Sequence, residues 1–223
     1  MAPQSYLIGI AGPSGAGKSY LARHLAERLR APVLALDQYY RDLSHLRPED
    51  RALSNFDEPA ALEHELLIAH VNQLRRREPI AVPTYDFSLH TRSGQTWSLD
   101  PSPFVVLEGL FTLYWPELRA HLGTAVYVDL EESACLQRRL DRDVQERGRT
   151  PDAVISQFRA TVVPMAERYV RPTLQHADVL IPGSMQIDEG VARIVDHIRQ
   201  HARRDEMKFA LDRLSALEPA PAR

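Results

Sequence analysis

Apolar runs alternate along the chain with segments in which apolar residues recur at helical spacing. The runs predict buried β-strands, and they are YLIGIAG, PVLALD, PFVVLEG, TAVYVDL and DVLIP. Helices are predicted over residues 18–29, 59–76, 132–144 and 150–169, with one or two more over 188–217. Strands that alternate with helices in this way indicate an α/β fold, in which helices cover both faces of a central, mostly parallel sheet.

Residues 79–103 depart from that alternation. They contain Pro83, Gly94 and Pro101 together with aromatic and β-branched residues, and this composition predicts a β-hairpin insertion. No internal repeat or clear linker divides the rest of the chain, so we expect one domain over residues 1–223. The last residues, 218–223, are expected to form a frayed tail.

Composition and charge narrow the class of protein. The chain has 223 residues, 44% of them hydrophobic and 26% charged, as is typical of a globular domain. Its formal net charge of −3 provides no broadly basic surface, so nucleic acid is not an expected partner. One cysteine, Cys135, excludes an internal disulfide and suits a reducing compartment. Because we find no secretory signal and no apolar run near the ~20 residues of a membrane span, we expect a cytoplasmic protein without a membrane partner.

A glycine-rich segment, GPSGAGKS, directly follows the first predicted strand and opens the first predicted helix. Its glycines let successive backbone N–H groups curl around an anion, and the helix N-terminus adds a favourable dipole. This pattern predicts a P-loop NTPase fold of three layers, with Lys18 on the β- and γ-phosphates and the Ser19 hydroxyl on Mg²⁺. The alternative is a strand–helix turn without a ligand. The predicted phosphate-binding residues are Gly12, Pro13, Ser14, Gly15, Ala16, Gly17, Lys18, Ser19 and Tyr20.

Two acidic residues lie at the ends of predicted strands. Asp37 ends the second strand and Glu108 ends the strand PFVVLEG. Because the carboxyl ends of parallel strands meet at the ligand crevice, Asp37 should face the γ-phosphate and Glu108 should help to hold Mg²⁺. The alternative is that Asp37 caps the segment that follows it and that Glu108 caps the turn at Gly109.

Residues 138–150 are rich in arginine, with guanidinium groups at positions 138, 139, 142, 147 and 149. Such a run is usually a solvated, salt-bridged helix face. Gly148 breaks the helix, however, and planar guanidinium groups suit the charge of a transferring phosphoryl group. We therefore predict a lid in which Arg142, Arg147 and Arg149 close over the phosphates and exclude water.

Eight segments in order resemble the uridine–cytidine kinase family: GIAGPSGAGKS, LDQYY, NFDEPAAL, PTYDFSLHTR, VVLEGLF, RRLDRDVQERGR, VISQF and ADVLIP. The similarity runs from about Leu7 to about Pro182, and NFDEP, YDFSLHTR and the arginine-rich segment are its most specific parts. It implies ATP-dependent phosphorylation of the 5′-hydroxyl of uridine and cytidine in pyrimidine salvage, with Mg²⁺ as cofactor. It also implies a homo-oligomer, and members of this family typically form tetramers.

The resemblance implies a role for individual residues. Asp37 would be the base that takes the proton from the 5′-hydroxyl, with Lys18 and Arg142 as the other catalytic residues. Glu108 would hold Mg²⁺ with Ser19. Arg147 would bind the nucleotide phosphates. The nucleoside-binding residues would be Tyr40, Phe56, Asp57, Tyr85, Phe87, His90, Arg139, Arg149 and Gln157.

Two of these nucleoside assignments have a structural alternative. Asp57 would accept hydrogen bonds from both ribose hydroxyls with Arg139 as its partner, but a helix N-cap before Pro59 is the alternative. Tyr85 and Phe87 lie on one face of an alternating strand and would sandwich a flat base, but both would equally serve as hairpin core. His90 would contact the variable edge of the pyrimidine, because imidazole can donate or accept.

The similarity weakens after ADVLIP. The family continues there with Arg-Gly and a nearby acid, whereas this chain has Gly183-Ser184-Met185-Gln186, so a preference for ATP over GTP stays open. Two other functions also stay open. One is a kinase of the same fold with another acceptor, such as a phosphoribulokinase-like enzyme. The other is a nucleotide-binding regulatory protein without catalysis.

Overall fold

A five-stranded, all-parallel sheet forms the centre of the protein, and a separate two-stranded antiparallel sheet stands beside it. The computed structural model describes residues 4–202, apart from the side chains of Ala52 and Arg147. The strands are β1 Tyr6–Ala11, β2 Val33–Ala35, β3 Ile80–Asp86, β4 Thr91–Leu99, β5 Phe104–Glu108, β6 Leu122–Asp129 and β7 Val179–Pro182. The order in the central sheet is β2-β5-β1-β6-β7, and β3 pairs with β4.

Helices follow most strands of the central sheet. The α-helices are α1 Lys18–Leu29, α2 Pro48–Ala52, α3 His64–Arg75, α4 Pro116–Arg119, α5 Glu132–Arg147, α6 Pro151–Gln157, α7 Val163–Met165 and α8 Ile187–His201. Two π-helical segments, Phe158–Val162 and Ala166–Val170, flank α7, so the chain stays helical from α6 to the 3₁₀ segment Arg171–His176. Within residues 4–202 no helix is long and apolar enough to cross a membrane.

The hydrophobic core lies in two layers, one on each face of the central sheet. Ile8 and Ile10 of β1 pack into the layer that contains Leu25 of α1 and Ile194 of α8. Leu7 lies in the opposite layer with residues of α3. Because successive side chains of a strand point to opposite faces, the continuous apolar runs of the sequence correspond to strands buried on both sides. The predicted three-layer α/β fold is thus confirmed.

The predicted helix at 18–29 has the predicted bounds, but the one at 59–76 is interrupted. A 3₁₀ turn, Pro59–Ala61, is followed by Leu62 in extended conformation, and α3 begins only at His64. Leu62 is held there because it forms a β-bridge with Tyr40, next to a hydrogen bond from the Glu63 N–H to the Tyr39 carbonyl oxygen. A tertiary contact therefore replaces a helical turn that the spacing of leucines favoured.

Other boundaries differ less from the prediction. Helix α5 continues past Val144 to Arg147, and the short helices α2 and α4 were not predicted. The predicted helix over 188–217 corresponds to α8 as far as His201. The residues after 202 lie outside the described part of the chain, and so does the predicted tail at 218–223.

The β3–β4 hairpin is attached to the segment that follows β2. The Arg92 guanidinium donates to the carbonyl oxygens of Tyr39 and Tyr40 and pairs with the Glu63 carboxylate at 2.6 Å. The Tyr85 N–H donates to the Gln38 side chain at 3.0 Å. These contacts fix the hairpin beside the carboxyl end of β2, where it forms one wall of the cavity described next.

Candidate active site

A cavity of about 290 Å³ opens at the carboxyl ends of β1, β2 and β5. It brings together most of the predicted site residues, although they are spread over more than half of the sequence. Gly12, Pro13 and Ala16 form the glycine-rich loop without lining the cavity, and the side chain of Arg147 lies outside the described part of the structure. The predicted residues that line the cavity are Ser14, Gly15, Gly17, Lys18, Ser19, Tyr20, Asp37, Tyr40, Phe56, Asp57, Tyr85, Phe87, His90, Glu108, Arg139, Arg142, Arg149 and Gln157.

The loop between β1 and α1 needs glycine at two tight positions. Gly12 has φ +143°, and a Cβ there would lie 2.2 Å from the Val128 carbonyl oxygen. Gly15 has φ +85°, and a Cβ there would lie 2.4 Å from the Cys135 carbonyl oxygen. Left-handed backbone and close approach to neighbouring main chain both exclude larger residues. The loop can therefore curl tightly at the N-terminus of α1, as an anion cradle requires.

Lys18 is the first residue of α1, and its side chain is 8% exposed. Its ammonium group donates to the Pro13 carbonyl oxygen at 2.9 Å, so it lies within the loop itself. Burial lowers the pKa of Lys18, while the negative charges of Glu108 and Asp37 act in the opposite direction. The side chain thus faces two carboxylates, and an anion bound in the loop would further favour its charged form.

Ser19, in the first turn of α1, contacts Glu108 at the end of β5. The Ser19 hydroxyl donates to a carboxylate oxygen of Glu108 at 3.0 Å. Burial, and to a smaller extent the charge of Asp37, raises the pKa of Glu108 to about 7, and Lys18 opposes the shift. Two adjacent oxygen donors of this kind fit Mg²⁺, which usually keeps several waters and is bound by few protein groups. Among residues 4–202 no cluster of three or more His, Cys, Asp or Glu side chains forms a fuller metal site.

Asp37 lies in a 3₁₀ turn, Leu36–Tyr39, rather than at the end of the strand itself. The residue at the cap position of that turn is Ala35, so Asp37 is not its cap. The Asp37 charge helps to raise the pKa values of both Glu108 and Asp57. Asp37 is therefore electrostatically close to the phosphate loop at one end of the cavity and to Asp57 at the other.

Asp57 is a buried carboxylate, 8% exposed, at the hairpin end of the cavity. Burial and then Asp37 raise its pKa, while Arg139, Arg149 and Lys18 act against the shift. The alternative interpretation as a helix cap is wrong, because the cap residues of the Pro59 turn and of α3 are Glu58 and Glu63. The expected pairing with Arg139 is electrostatic only, since the hydrogen bonds of Arg139 go to Ser14 and Gln157.

Aromatic rings form the far end of the cavity. Phe56 and His90 are stacked, with ring centroids 5.1 Å apart, and Tyr40 contacts Phe56 and Tyr85 at 5.3 Å. Tyr85 and Phe87 contact each other directly, at 5.2 Å and an interplanar angle of 69°. A flat base does not fit between two rings in contact, so the predicted sandwich by this pair is not present. The wall offers ring faces and the Tyr85 hydroxyl, which is buried without a hydrogen-bond partner among the described residues.

The arginine-rich segment has one face in solvent and one face turned into the cavity. Arg139 is 6% exposed and donates to the Ser14 hydroxyl at 2.8 Å and to the Gln157 side-chain oxygen at 2.9 Å. Arg149 donates to the same oxygen at 2.8 Å. Gln157 thus lines the cavity but uses its carbonyl group to hold two guanidinium groups. Because Gly148 adopts φ +62° at the end of α5, the chain reverses and returns Arg149 to the cluster.

Some residues of the site could not be assigned from the sequence. Arg138 donates to the carbonyl oxygens of Ala16 and Gly183, and so joins α5 to the phosphate loop and to the segment after β7. Asp143 pairs with Arg139, Arg142 and Arg149. The four-residue spacing of Arg139 and Asp143 was a weak signal for the second of these, because such pairs are common on helix surfaces.

The chain is similar to known proteins over most of its length. Residues 7–188 match the model of the Phosphoribulokinase / Uridine kinase family. The chain is 42% identical over 186 residues to the uridine kinase of Shewanella frigidimarina and 43% identical over 182 residues to that of Staphylococcus epidermidis. Each alignment covers 80% of this chain and 88% of the relative. The phosphoribulokinase of Rhodobacter spheroides has a similar fold, with a TM-score of 0.58 at 14% identity over 80% of this chain and 70% of that one.

Proposed function

The chain belongs to the phosphoribulokinase and uridine kinase family, and from that membership we propose that it transfers the γ-phosphate of ATP to the 5′-hydroxyl of uridine. Cytidine is a second acceptor in this proposal, and the product UMP or CMP would serve pyrimidine salvage. The proposal also includes GTP as an alternative donor, a homo-oligomeric state with four subunits, and a cytoplasmic location.

One observation carries the proposal: a single cavity contains the phosphate loop at one end and an aromatic wall at the other, with Asp37 acting on charges at both ends. A nucleoside whose base lies against the aromatic wall and whose ribose lies beside Asp57 would present its primary alcohol toward the loop. A carboxylate can accept hydrogen bonds from two vicinal hydroxyls at once, which suits Asp57 to the ribose diol.

In the reaction, the 5′-oxygen attacks the γ-phosphorus in line and forms the new P–O bond. The bond from the γ-phosphorus to the β,γ-bridging oxygen breaks, and ADP leaves with those electrons. Asp37 accepts the proton of the 5′-hydroxyl, as a base within hydrogen-bond reach of the acceptor alcohol must. Phosphoryl transfer needs little further covalent chemistry from the protein, so most of the rate acceleration comes from positioning of the reactants and stabilisation of charge.

Lys18 and the arginines supply that charge stabilisation. The Lys18 ammonium group exchanges the Pro13 carbonyl oxygen for phosphate oxygens, which are stronger acceptors because they are charged. Arg142 and Arg149 line the cavity and offer planar donors to the transferring group. Ser19 and Glu108 would hold Mg²⁺, which when bound neutralises negative charge on the phosphates.

The arginine-rich segment would also exclude water. Water in the cavity competes with the 5′-hydroxyl as acceptor and wastes ATP, so closure of Arg142, Arg147 and Arg149 over the phosphates makes transfer selective. Arg147 belongs to this lid in the proposal by its position in the sequence alone.

The proposal is tested by offering different acceptors with ATP and Mg²⁺ and measuring ADP release and the phosphorylated product. We expect UMP from uridine, CMP from cytidine, and ADP release that depends on the nucleoside. Turnover of a sugar phosphate such as ribulose 5-phosphate, without turnover of any nucleoside, would assign the chain to another acceptor. Tight ATP binding without phosphorylation of any acceptor would instead indicate a regulatory nucleotide-binding protein.

A further inference from the structure

Asp143 of α5 is a fully buried carboxylate, 0% exposed, surrounded by the arginines of the active-site cavity. Both Nε and Nη2 of Arg142 lie 2.8 Å from its Oδ1 atom. Nε of Arg139 and Nη1 of Arg149 each lie 3.5 Å from its Oδ2 atom. Asp143 itself does not line the cavity, whereas all three arginines do. The carboxylate therefore lies behind the cavity wall, and these guanidinium groups stand between it and whatever the cavity binds.

The main chain of Asp143 also fixes the turn that ends α5. Its carbonyl oxygen accepts the N–H groups of Gly148 and Arg149, the latter at 3.1 Å. One residue thus closes the helix through its backbone and receives the returning Arg149 through its side chain. Asp143 therefore fixes the position of Arg149, which follows the turn, relative to that of Arg142, which lies on the helix.

Two of the three arginines, Arg139 and Arg149, connect Asp143 to other parts of the site. Arg139 donates to Ser14 of the phosphate loop, and Arg139 and Arg149 share the Gln157 oxygen. Burial lowers the pKa of Arg139, and the charges of Asp57 and Asp143 counteract that shift. An anion inside the cluster offsets the burial of Arg139 and the mutual repulsion of the three guanidinium groups.

The Asp143 carboxylate competes with phosphate for these guanidinium groups. A guanidinium group held by Asp143 binds a triphosphate less tightly than a free one, because the anion next to it lowers the local positive potential. Interactions that strengthen only as the phosphoryl group transfers raise turnover, whereas interactions equally strong in the ground state do not. A fixed counter-ion behind Arg142 therefore limits ground-state binding, while its two contacts with the guanidinium group hold that group in one orientation for the transition state.

We propose that Asp143 is a positioning residue for phosphoryl transfer: it orients Arg139, Arg142 and Arg149 and limits their attraction for the triphosphate before reaction. The inference rests on the proposed function, because the role of Asp143 is expressed in the kinase reaction. It extends that function to a residue that touches neither substrate.

The test compares Asp143→Asn with Asp141→Asn, an exposed carboxylate on the same helix that accepts a hydrogen bond from Gln137. Two quantities are measured: kcat with saturating ATP and uridine, and the Kd of an unreactive ATP analogue by calorimetry without nucleoside. We expect kcat of Asp143→Asn to fall by about 10²-fold, as when catalytic groups lose their alignment. We expect the analogue to bind roughly two- to thirtyfold more tightly, because a negative charge next to the phosphate-binding arginines is removed. Asp141→Asn should match the native protein in both.

Turnover of Asp143→Asn within threefold of native would overturn the proposal. So would weaker turnover together with weaker analogue binding, because a merely structural role predicts loss of both. If circular dichroism shows that the asparagine variant is unfolded, Asp143→Glu decides. The glutamate keeps the negative charge, but its longer side chain shifts the arginines. A reduced kcat with unchanged affinity for the analogue supports the proposal, and a native kcat overturns it. A native protein that binds the analogue but phosphorylates no uridine would instead reject the proposed function, and the analogue affinities would still test the charge effect of Asp143.

Discussion

The Ser19 hydroxyl donates to the Glu108 carboxylate at 3.0 Å and so joins the first turn of α1 to the end of β5. The two residues are separated by 89 positions in the sequence, and the parallel pairing of β1 with β5 brings them together. Both lie beside the loop that holds Lys18. This pair is the part of the structure that best fits a hydrated divalent cation.

Replacing the carboxylate of this pair should raise the requirement for Mg²⁺. Glu108→Gln keeps the acceptor for Ser19 but removes the charge, so we expect the Mg²⁺ concentration for half-maximal activity to rise by about 10- to 100-fold. Titration of activity with Mg²⁺ at saturating ATP measures this directly. Glu117→Gln, an exposed residue of α4, is the control. An unchanged Mg²⁺ requirement in Glu108→Gln would remove this residue from the cation site.

Binding of uridine should depend on pH through Asp57. The carboxylate binds the ribose diol in its charged form, and burial raises its pKa above 3.8. Affinity should therefore fall as the solution is acidified, and the fall should begin at a higher pH than an exposed aspartate would give. Calorimetry with uridine alone, from about pH 8 to about pH 5, measures this dependence, since an ordinary aspartate stays charged over that range.

The variant Asp57→Asn provides the comparison for the same titration. Loss of a charge-assisted hydrogen bond is worth roughly 1.5–3 kcal/mol, so uridine should bind about 10- to 100-fold more weakly at neutral pH. The residual affinity should no longer change with pH through this group. A native protein that binds uridine no more tightly than Asp57→Asn at neutral pH would show that the Asp57 carboxylate does not contact the ribose.

His90 should contribute to nucleoside binding without affecting ATP. Its backbone is left-handed, with φ +51°, so His90→Gly removes the imidazole and its stacking on Phe56 without backbone strain. We expect kcat/KM for uridine to fall about tenfold, because the loss of one polar contact weakens binding by about that factor. KM for ATP should stay unchanged. Leu89→Ala, on the adjacent exposed residue, is the control. An equal loss in both variants would point to a general effect on the hairpin.

Gly15 should tolerate no side chain, in contrast to Gly94. Both have positive φ, which costs another residue about 1–2 kcal/mol, but only Gly15 has a neighbour within 4 Å of its added Cβ. Gly15→Ala should therefore lower the free energy of unfolding by about 1–3 kcal/mol more than Gly94→Ala, and it should weaken ATP binding. Denaturant unfolding of the two variants measures the difference. Equal losses would show that the loop can move away from Cys135.

Local features of the structure were predictable from the sequence. The helix at 18–29 has the predicted bounds because Leu21, Leu25 and Leu29 all face the core. The phosphate loop was predictable because its glycines are needed by local backbone geometry. The α/β fold followed from strands buried on both faces.

Features that depend on distant contacts were not predictable from spacing. The break before α3 exists because Leu62 pairs with Tyr40. The Arg139 side chain contacts Ser14, which is 125 positions away. Asp143 is an ordinary helix residue in the sequence; its pairs with Arg139 and Arg142 lie within α5, and Arg149 joins them because Gly148 returns the chain toward it.

The central claim is that Asp37 takes the proton of the acceptor alcohol, and Asp37→Asn tests it most directly. The asparagine has the same shape and cannot act as a base, so kcat with ATP and uridine should fall by about 10²–10⁴-fold. The Kd of an unreactive ATP analogue should stay near native, which separates chemistry from nucleotide binding. A variant that phosphorylates uridine at close to the native rate would contradict the account.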